Sequence, residues 1–497
     1  MTHCNSTNRW IFAIAIIAVV QTAFAAEEPV HLGTNPQLVV DDVLIATKQG
    51  LARKAHPCQK LSKPVLEAQK PWEGQRVYIY GTAFYDADTQ EYRMWYMAQN
   101  QEKPQDNPRL LRSKHCLVLY ATSSDGMAWT RPNLGQYAFQ GSDDNNIVFD
   151  LHSPSVLFDA TDPDGARRYK MVGSGTDAGG RGYCAATSPD GLHWEDVANN
   201  PILKNSDTIT LAYDSKQKEY LAFHKISGEH RGYKRRVVYL AVSRDFRTWS
   251  EPRLVLEPDE IDDRWATEPG QRTEFYNLSA FEYAGQFLGM VTVFKHKSTS
   301  SKKAEGQSRD DGPIDVQLVH SRDGRQWQRC EDRSPIIPNG PHPYDAGCIL
   351  GVCNTPVIVN NEMFMYYTAI TTTHGGAMPE KKVSIARASW PKDRWVSLDA
   401  AAEGSVETVC LKPSGNQLVV NADASGGVLR VEVCDENGSI LPGYSFEDCR
   451  PMTVDRLEHR MAWKEHETLP TDRPIRLRFH LNHASLFAYT ITPNTTD

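Results

Sequence analysis

The chain has 497 residues, with 54 Lys and Arg against 62 Asp and Glu and a formal net charge of −8. That length suits two or three domains, or one long repeat array with an appendage. Charged residues at 23% and aromatics at 9% are those of an ordinary globular protein, and no basic stretch marks a nucleic-acid footprint, so no nucleic-acid partner is expected.

Residues 1–25 read as an export signal. Arg9 precedes the apolar run from Ile11 to Val20, and Ala23-Phe24-Ala25 has the small-x-small pattern of a cleavage site. The run is short for a bilayer span, so a mature chain beginning near Ala26 is expected in the periplasm or outside the cell, with no membrane span after cleavage. Export permits disulfides. Loss of Cys4 leaves nine cysteines, an odd number, and none has the spacing of a zinc site.

Residues 27–70 form a lead-in segment expected to pack on the following domain, with a short strand from Leu38 to Ile45 that carries Asp41 and Asp42. From 71 to 395 one pattern returns five times. Four returns end in nearly the same motif: Ser124-Asp125-Gly126-Met127-Ala128-Trp129, Ser188-Pro189-Asp190-Gly191-Leu192-His193-Trp194, Ser243-Arg244-Asp245-Phe246-Arg247-Thr248-Trp249 and Ser321-Arg322-Asp323-Gly324-Arg325-Gln326-Trp327. The Asp-Gly step suits the positive φ of a tight hairpin, and the Trp anchors the next strand. A degenerate fifth copy runs from Val383 to Trp390. Each unit reads as an inner strand, a polar turn, an aromatic-rich second strand, a third strand before the Asp-turn and a fourth near the Trp. The first inner strand is expected from Val77 to Tyr85. Four antiparallel strands repeated five times predict a five-bladed β-propeller. Residues 397–497 contain short alternating strands separated by turns such as Glu436-Asn437-Gly438, and predict a β-sandwich. The fold class expected is all-β, a propeller followed by a sandwich.

A propeller gathers residues from separate blades around one axis, so chemistry is sought just before each inner strand. Three carboxylates meet that test: Glu73 in the first unit, Asp207 in the third and Glu274 in the fourth. Cleavage of a glycosidic bond needs an acid to protonate the leaving oxygen and a second carboxylate as nucleophile or base, which makes such a trio a catalytic candidate. Trp72, Tyr78 and Tyr276 are candidate sugar platforms. Arg76 and Arg272 are candidate substrate contacts.

Five blades, the Asp-turn hairpins and the trailing sandwich resemble the glycoside hydrolase superfamily of families 32 and 43, and family 32 in the appended sandwich. The resemblance covers residues 70–497. Family 32 enzymes carry an Asp in a Trp-x-Asn-Asp-Pro-Asn-Gly motif, an Asp in Arg-Asp-Pro and a Glu in Glu-Cys. Here the matching positions read Trp72-Glu73-Gly74, Ser206-Asp207-Thr208 and Glu274-Phe275. The resemblance implies Glu73 as nucleophile or base, Asp207 as transition-state stabiliser and Glu274 as acid. It implies a carbohydrate substrate and no cofactor, with a structural calcium permitted by likeness to family 43. The expected function is that of an exported glycoside hydrolase acting on a poly- or oligosaccharide. Two other readings remain open: a non-catalytic carbohydrate-binding propeller, and a related transferase or glycoside phosphorylase, for which Arg76, Arg235, Arg236 and Arg272 are candidate phosphate contacts.

Overall fold

The repeated hairpin owes its shape to one serine and one aspartate. A computed structural model describes residues 28–100, 110, 112–113, 115–300 and 304–493; the export signal lies outside the described residues. In four hairpins a Ser hydroxyl (Ser123, Ser188, Ser243 or Ser321) donates to the Asp two residues on at 2.9–3.0 Å. That Asp accepts two backbone N–H groups of its own turn at 2.7–2.9 Å. The equivalent serine of the first copy is therefore Ser123, not Ser124. The residue after the Asp is left-handed in all four, at φ 61° to 78°. Three copies place Gly there. Phe246 takes the same conformation, which costs a non-glycine residue about 1–3 kcal/mol, with its ring buried against Tyr220 and Trp249.

These turns follow the third strand in four of five antiparallel meanders. Blade 1 contains Arg76–Tyr78 with Ala83–Asp86, then Glu91–Gln99, Cys116–Ser123 and Ile147–Phe149. Blade 2 is His152–Phe158, Tyr169–Asp177, Gly180–Ser188 and Glu195–Asp196. Blade 3 is Ile209–Asp214, Glu219–His230, Tyr233–Ser243 and Arg253–Leu256. Blade 4 is Arg272–Tyr283, Gln286–His296, Ile314–Ser321 and Gln328–Arg329. Blade 5 is Cys348–Val352 with Val357–Val359, then Glu362–Ile370, Val383–Pro391 and Gln59–Lys60.

Three details differ from the sequence reading. The first inner strand is broken between Tyr78 and Ala83, where Gly81 lies so close to blade 2 that a Cβ would collide with the Pro154 carbonyl. The fourth strand of blade 1 is Ile147–Phe149; beside Trp129 there is only a single bridge from Thr130 to Thr122. Trp390 lies within the third strand of blade 5, and the fourth strand comes from the lead-in segment. A chain that closes a ring must supply one strand from its other end. Lys60 pins that strand through a buried ion pair with Asp345 at 2.5 Å.

Hydrogen bonds between neighbouring inner strands run all the way round the ring. Thr82 Oγ1 of blade 1 donates to the Val156 carbonyl of blade 2. Ser153 Oγ of blade 2 donates to the Asp207 carbonyl at the start of blade 3 at 2.8 Å. Thr208 and Thr210 of blade 3 donate to Tyr276 O and Leu278 O of blade 4 at 3.0 and 2.5 Å. Ser279 of blade 4 donates to Val352 O of blade 5 at 2.6 Å, and Asn354 N of blade 5 donates to Gly81 O of blade 1 at 2.9 Å. The ring is a closed five-bladed propeller.

The second domain is built on two long paired strands, Val396–Thr408 and Arg476–Thr492. Both bend: the pairing shifts register between Ala400 and Glu403, and His483 stands at φ 47°. Each therefore serves two layers, with Val428–Cys434 beside one half of the last strand and Gln417–Asp423 beside the other. Leu418, Val431, Trp463 and Phe479 belong to the apolar core of this domain. The lead-in segment packs mainly here: Ile45–Gln49 and Ala52–Ala55 pair with Val396–Thr408. Residues 39–44 are a turn, not a strand, because Asp41 caps Val43 N at 3.0 Å and Ile45 N closes onto Asp42 O. None of the nine described cysteines is paired.

Asn354 also reaches sideways at the axis: its Oδ1 lies 2.9 Å from Thr82 Oγ1, whose one hydrogen it shares with the Val156 carbonyl, and its Nδ2 donates to Leu211 O at 2.6 Å and Ser155 Oγ at 3.3 Å. Asn354→Leu, of similar volume, strips blades 1, 2 and 3 of these partners within a buried centre. A loss of about 2–4 kcal/mol in unfolding free energy is expected, measured by urea denaturation against the wild type.

Candidate active site

Asn354 and its partners fill the axis, and an open cleft lies beside the N-terminal ends of the inner strands. Arg76, Tyr78 and Tyr80 precede Gly81 in blade 1; His152 precedes Ser155, Asp207 precedes Leu211, Tyr276 precedes Ser279 and Leu350 precedes Asn354. A hollow of about 310 Å³ is lined by Arg76, Tyr78, Tyr80, His152, Tyr276, His374 and Lys381 among others. A second, of about 530 Å³, lies between blades 1 and 2 and shares Gln99 and His152 with it. A third, of about 390 Å³ at the seam with the sandwich, has no aromatic side chain in its lining. Sugar rings are held by aromatic faces and directed polar groups, which the axial cleft offers and the seam does not.

Asp207 stands beside His152 and Tyr276 at the cleft. Lys225 Nζ is 2.8 Å from its Oδ2 and 3.5 Å from the centre of the Tyr276 ring. The Asp207 side chain is 41% exposed and adjoins the hollow that His152 and Tyr276 line. Burial acts to raise its pKa, but Lys225, His152 and Arg236 outweigh that and hold the carboxyl below the ordinary aspartate value. Burial lowers the pKa of Lys225, with Asp207 opposing. His152 is lowered chiefly by burial, and His374 falls to about 4 for the same reason, so both rings are neutral near pH 7. His374 Nε2 lies 3.3 Å from the Tyr276 hydroxyl.

Glu274 lies behind this floor. It sits inside the inner strand of blade 4, opposite Phe294, two residues before a bulge at Tyr276 that shifts the register of the pair. Such a bulge re-aims side chains. The carboxylate is 1% exposed, and it meets Arg236 Nη1 at 2.5 Å and Arg272 Nη2 at 2.8 Å. Arg236 reaches on to Asp310 at 2.6 Å. Arg272 also donates to Gly270 O and Lys234 O at 2.9 and 3.1 Å. In this arrangement Glu274 Oε2 accepts from Arg236, Oε1 faces Arg272 as an ion pair without a hydrogen bond, and the carboxylate orients Arg236, which lies 5.4 Å from the Tyr276 ring centre.

Glu73 is absent from the cleft, which corrects the expectation that it joins the other two carboxylates. It closes a short 3₁₀ turn, Pro71–Glu73, and is fully buried. Its Oε1 accepts from Tyr96 and Arg131 at 2.6 Å each, and its Oε2 from the Gln69 and Lys70 amides at 2.7 and 3.0 Å. Tyr96 alternates along its strand with Met97, which lines the cleft, so Glu73 lies on the opposite face of blade 1. Trp72 goes with it, donating to Asn146 at 2.7 Å. Of the eight residues singled out in the sequence, Arg76, Tyr78 and Tyr276 line the cleft and Asp207 adjoins it. Glu274 and Arg272 stand behind it, and Glu73 and Trp72 lie outside.

Lys225, His152, His374 and Lys381 were not singled out as site residues. Lys225 had a visible signal, a lone charge following the apolar run Leu221-Ala222-Phe223 within one strand. His374 and Lys381 sit in a loop whose position only the closed ring defines. Among the described residues no three His, Cys, Asp or Glu side chains gather as a metal cage. Asp41 and Asp42 pair with Arg322 and Arg53 near the seam, away from the cleft.

No family model matches the chain and no curated protein matches it. Among solved structures, the chain is similar to the family 32 β-fructofuranosidase of Bombyx mori at 10% identity and a TM-score of 0.43, over 87% of this chain and 94% of that one. It is similar to a thermostable family 43 glycoside hydrolase at 13% identity and a TM-score of 0.42, over 65% and 94%. An N-acetylgalactosamine deacetylase from F. plautii gives 14% identity and a TM-score of 0.42, over 70% and 96%. These likenesses are shallow, and the reading of the site rests on its own residues.

Glu73→Gln places an amide donor against the donors that now share the carboxylate and leaves Arg131 without its buried counter-charge. A loss of about 3 kcal/mol in stability is expected, with the catalytic rate per folded molecule unchanged; calorimetry and active-fraction kinetics check the two parts separately.

Proposed function

We propose that the chain is an exported carbohydrate-active enzyme that cleaves or transfers at a glycosidic bond in the axial cleft, with Asp207 as its ionised carboxylate. The observation that carries this reading is Asp207 itself: a partly exposed carboxylate adjoining the propeller cleft, held below the ordinary aspartate pKa by Lys225 and its neighbours. An oxocarbenium-like transition state develops positive charge at the anomeric carbon, and an anionic oxygen beside it either stabilises that charge or activates the attacking group. Tyr78, Tyr80 and Tyr276 supply apolar faces in the same hollow. Glu274 serves to hold Arg236 and Arg272, which supports a positioning role in place of the acid role implied by the resemblance.

The sign of the pH dependence follows from the cations. A base with a depressed pKa stays ionised as pH falls, so the acid limb of kcat/KM is expected below pH 3.8, the ordinary aspartate value. Lys225→Met removes the nearest positive charge and moves that limb upward. Asp207→Asn is expected to lower turnover about 10²–10⁴-fold, measured by reducing-sugar release from a panel of neutral and acidic polysaccharides. Full activity of Asp207→Asn on a substrate cleaved by the wild type refutes the assignment. Binding of glycans without cleavage by the wild type selects the non-catalytic reading.

A further inference from the structure

We propose that Arg76 and Lys381 form an oxyanion-binding subsite in the inner cleft, so that the reaction takes an anionic sugar or an inorganic oxyanion alongside the sugar. The proposal rests on the cleft being the carbohydrate site and names the substrate chemistry that site accepts.

Elsewhere this chain matches its buried cations with carboxylates. Lys60 meets Asp345, Lys170 meets Asp159 and Asp162, Arg235 meets Asp263, and Arg329 meets Asp262. Lys225 meets Asp207 in the same way. Burying an ammonium group without a counter-ion costs several kcal/mol, which is why such pairing prevails. Lys381 is the exception: it is buried, and its Nζ donates to the carbonyls of His374 and Gly306 at 2.8 and 3.1 Å. Among the described residues neither Lys381 nor Arg76 has a carboxylate within 4.0 Å. Asp311 acts on Lys381 less than burial, Cys348 or Arg76 does, and its carboxylate accepts the Gly312 and Gly375 amides at 2.8 Å each.

Arg76 and Lys381 come from opposite sides of the ring seam, the first strand of blade 1 and the loop before the third strand of blade 5. Those two strands meet where Val383 pairs with Arg76. Both side chains line the same hollow of about 310 Å³, with His152, Tyr276 and His374. A guanidinium fork and an ammonium beside it match the planar carboxylate of a uronosyl unit, or a sulfate or phosphate group. Two uncompensated cations are unfavourable in this wall until an anion arrives.

The same chemistry has two sources, a charged substituent on the glycan or free phosphate as co-substrate. In the second case a phosphate oxygen bonds to the anomeric carbon as the glycosidic C–O bond breaks, and the proton of hydrogen phosphate ends on the leaving hydroxyl. Calorimetric titration with galacturonate, inorganic phosphate and neutral galactose is the direct test. At least one of the two anions is expected to bind about tenfold or more tightly than galactose. Arg76→Gln and Lys381→Met are each expected to abolish that preference, with Arg76→Lys restoring part of it. Circular dichroism and melting confirm that each variant is folded. Formation of a sugar phosphate only when phosphate is added identifies free phosphate as the source, and phosphate-independent preference for uronate-containing oligosaccharides identifies the glycan. Equal binding of anions and galactose, or anion binding unchanged in both folded variants, overturns the proposal. Asp207→Asn keeps the two readings apart: it is expected to retain anion binding while losing turnover, so full activity in that variant sinks the catalytic reading and leaves the subsite standing.

Discussion

A single asparagine on the axis ties this molecule together. Asn354 uses its backbone amide and both ends of its side chain to reach blades 1, 2 and 3 from blade 5, and the adjacent Val352 carbonyl takes the bond from blade 4. Inner strands of neighbouring blades are not paired as a continuous sheet there, so their polar groups need side chains to satisfy them. Thr82, Ser155, Thr208, Thr210, Ser279 and Thr368 do this work all around the ring. Buried hydroxyls and one amide thus replace the ladder that a closed barrel would have used. An unsatisfied group at this depth costs about 1–3 kcal/mol, so the network specifies how many blades can meet and how closely.

That filled axis also decides where chemistry can happen. With the centre occupied at the level of Asn354, the strand starts above it enclose the cleft. Residues three or four positions before the groups bonded at the axis therefore border it: His152 before Ser155, Tyr276 before Ser279, and Asp207 before Leu211. The site inherits its precision from the scaffold directly beneath it. The bulge at Tyr276 turns one aromatic face into the cleft and leaves Glu274 behind the wall, where it holds two arginines.

Much of this was legible in the chain because its punctuation is local. An Asp that accepts two amides of its own turn needs no distant partner, so the hairpins could be read directly and the blade count followed. The all-β class and the trailing sandwich were legible for the same reason. Long-range closure was not. Nothing near Gln59–Lys60 says that it completes a blade whose other strands lie some three hundred residues later, and the buried Lys60–Asp345 pair exists only once it does. Proximity in sequence to an inner strand also misled. Glu73 precedes the first strand much as Asp207 precedes the third, yet a 3₁₀ turn and Arg131, 58 positions on, carry it to the other face of its blade.

The contrast between Glu73 and Asp207 shows what separates a structural carboxylate from a chemical one. Each has a cationic partner within 2.8 Å. Glu73 spends both oxygens on four donors inside the protein and is sealed from solvent. Asp207 has one close cation, keeps part of its side chain exposed and stands beside neutral His152. A carboxylate with every lone pair committed can hold a fold together but cannot meet a substrate. The same reasoning, applied to cations, distinguishes Arg235 and Lys60, locked in ion pairs, from Arg76 and Lys381, which line a cavity and have no carboxylate partner among the described residues. In each case the group with unspent hydrogen-bonding or charge capacity lies at the propeller mouth, and the saturated group lies in the wall that supports it.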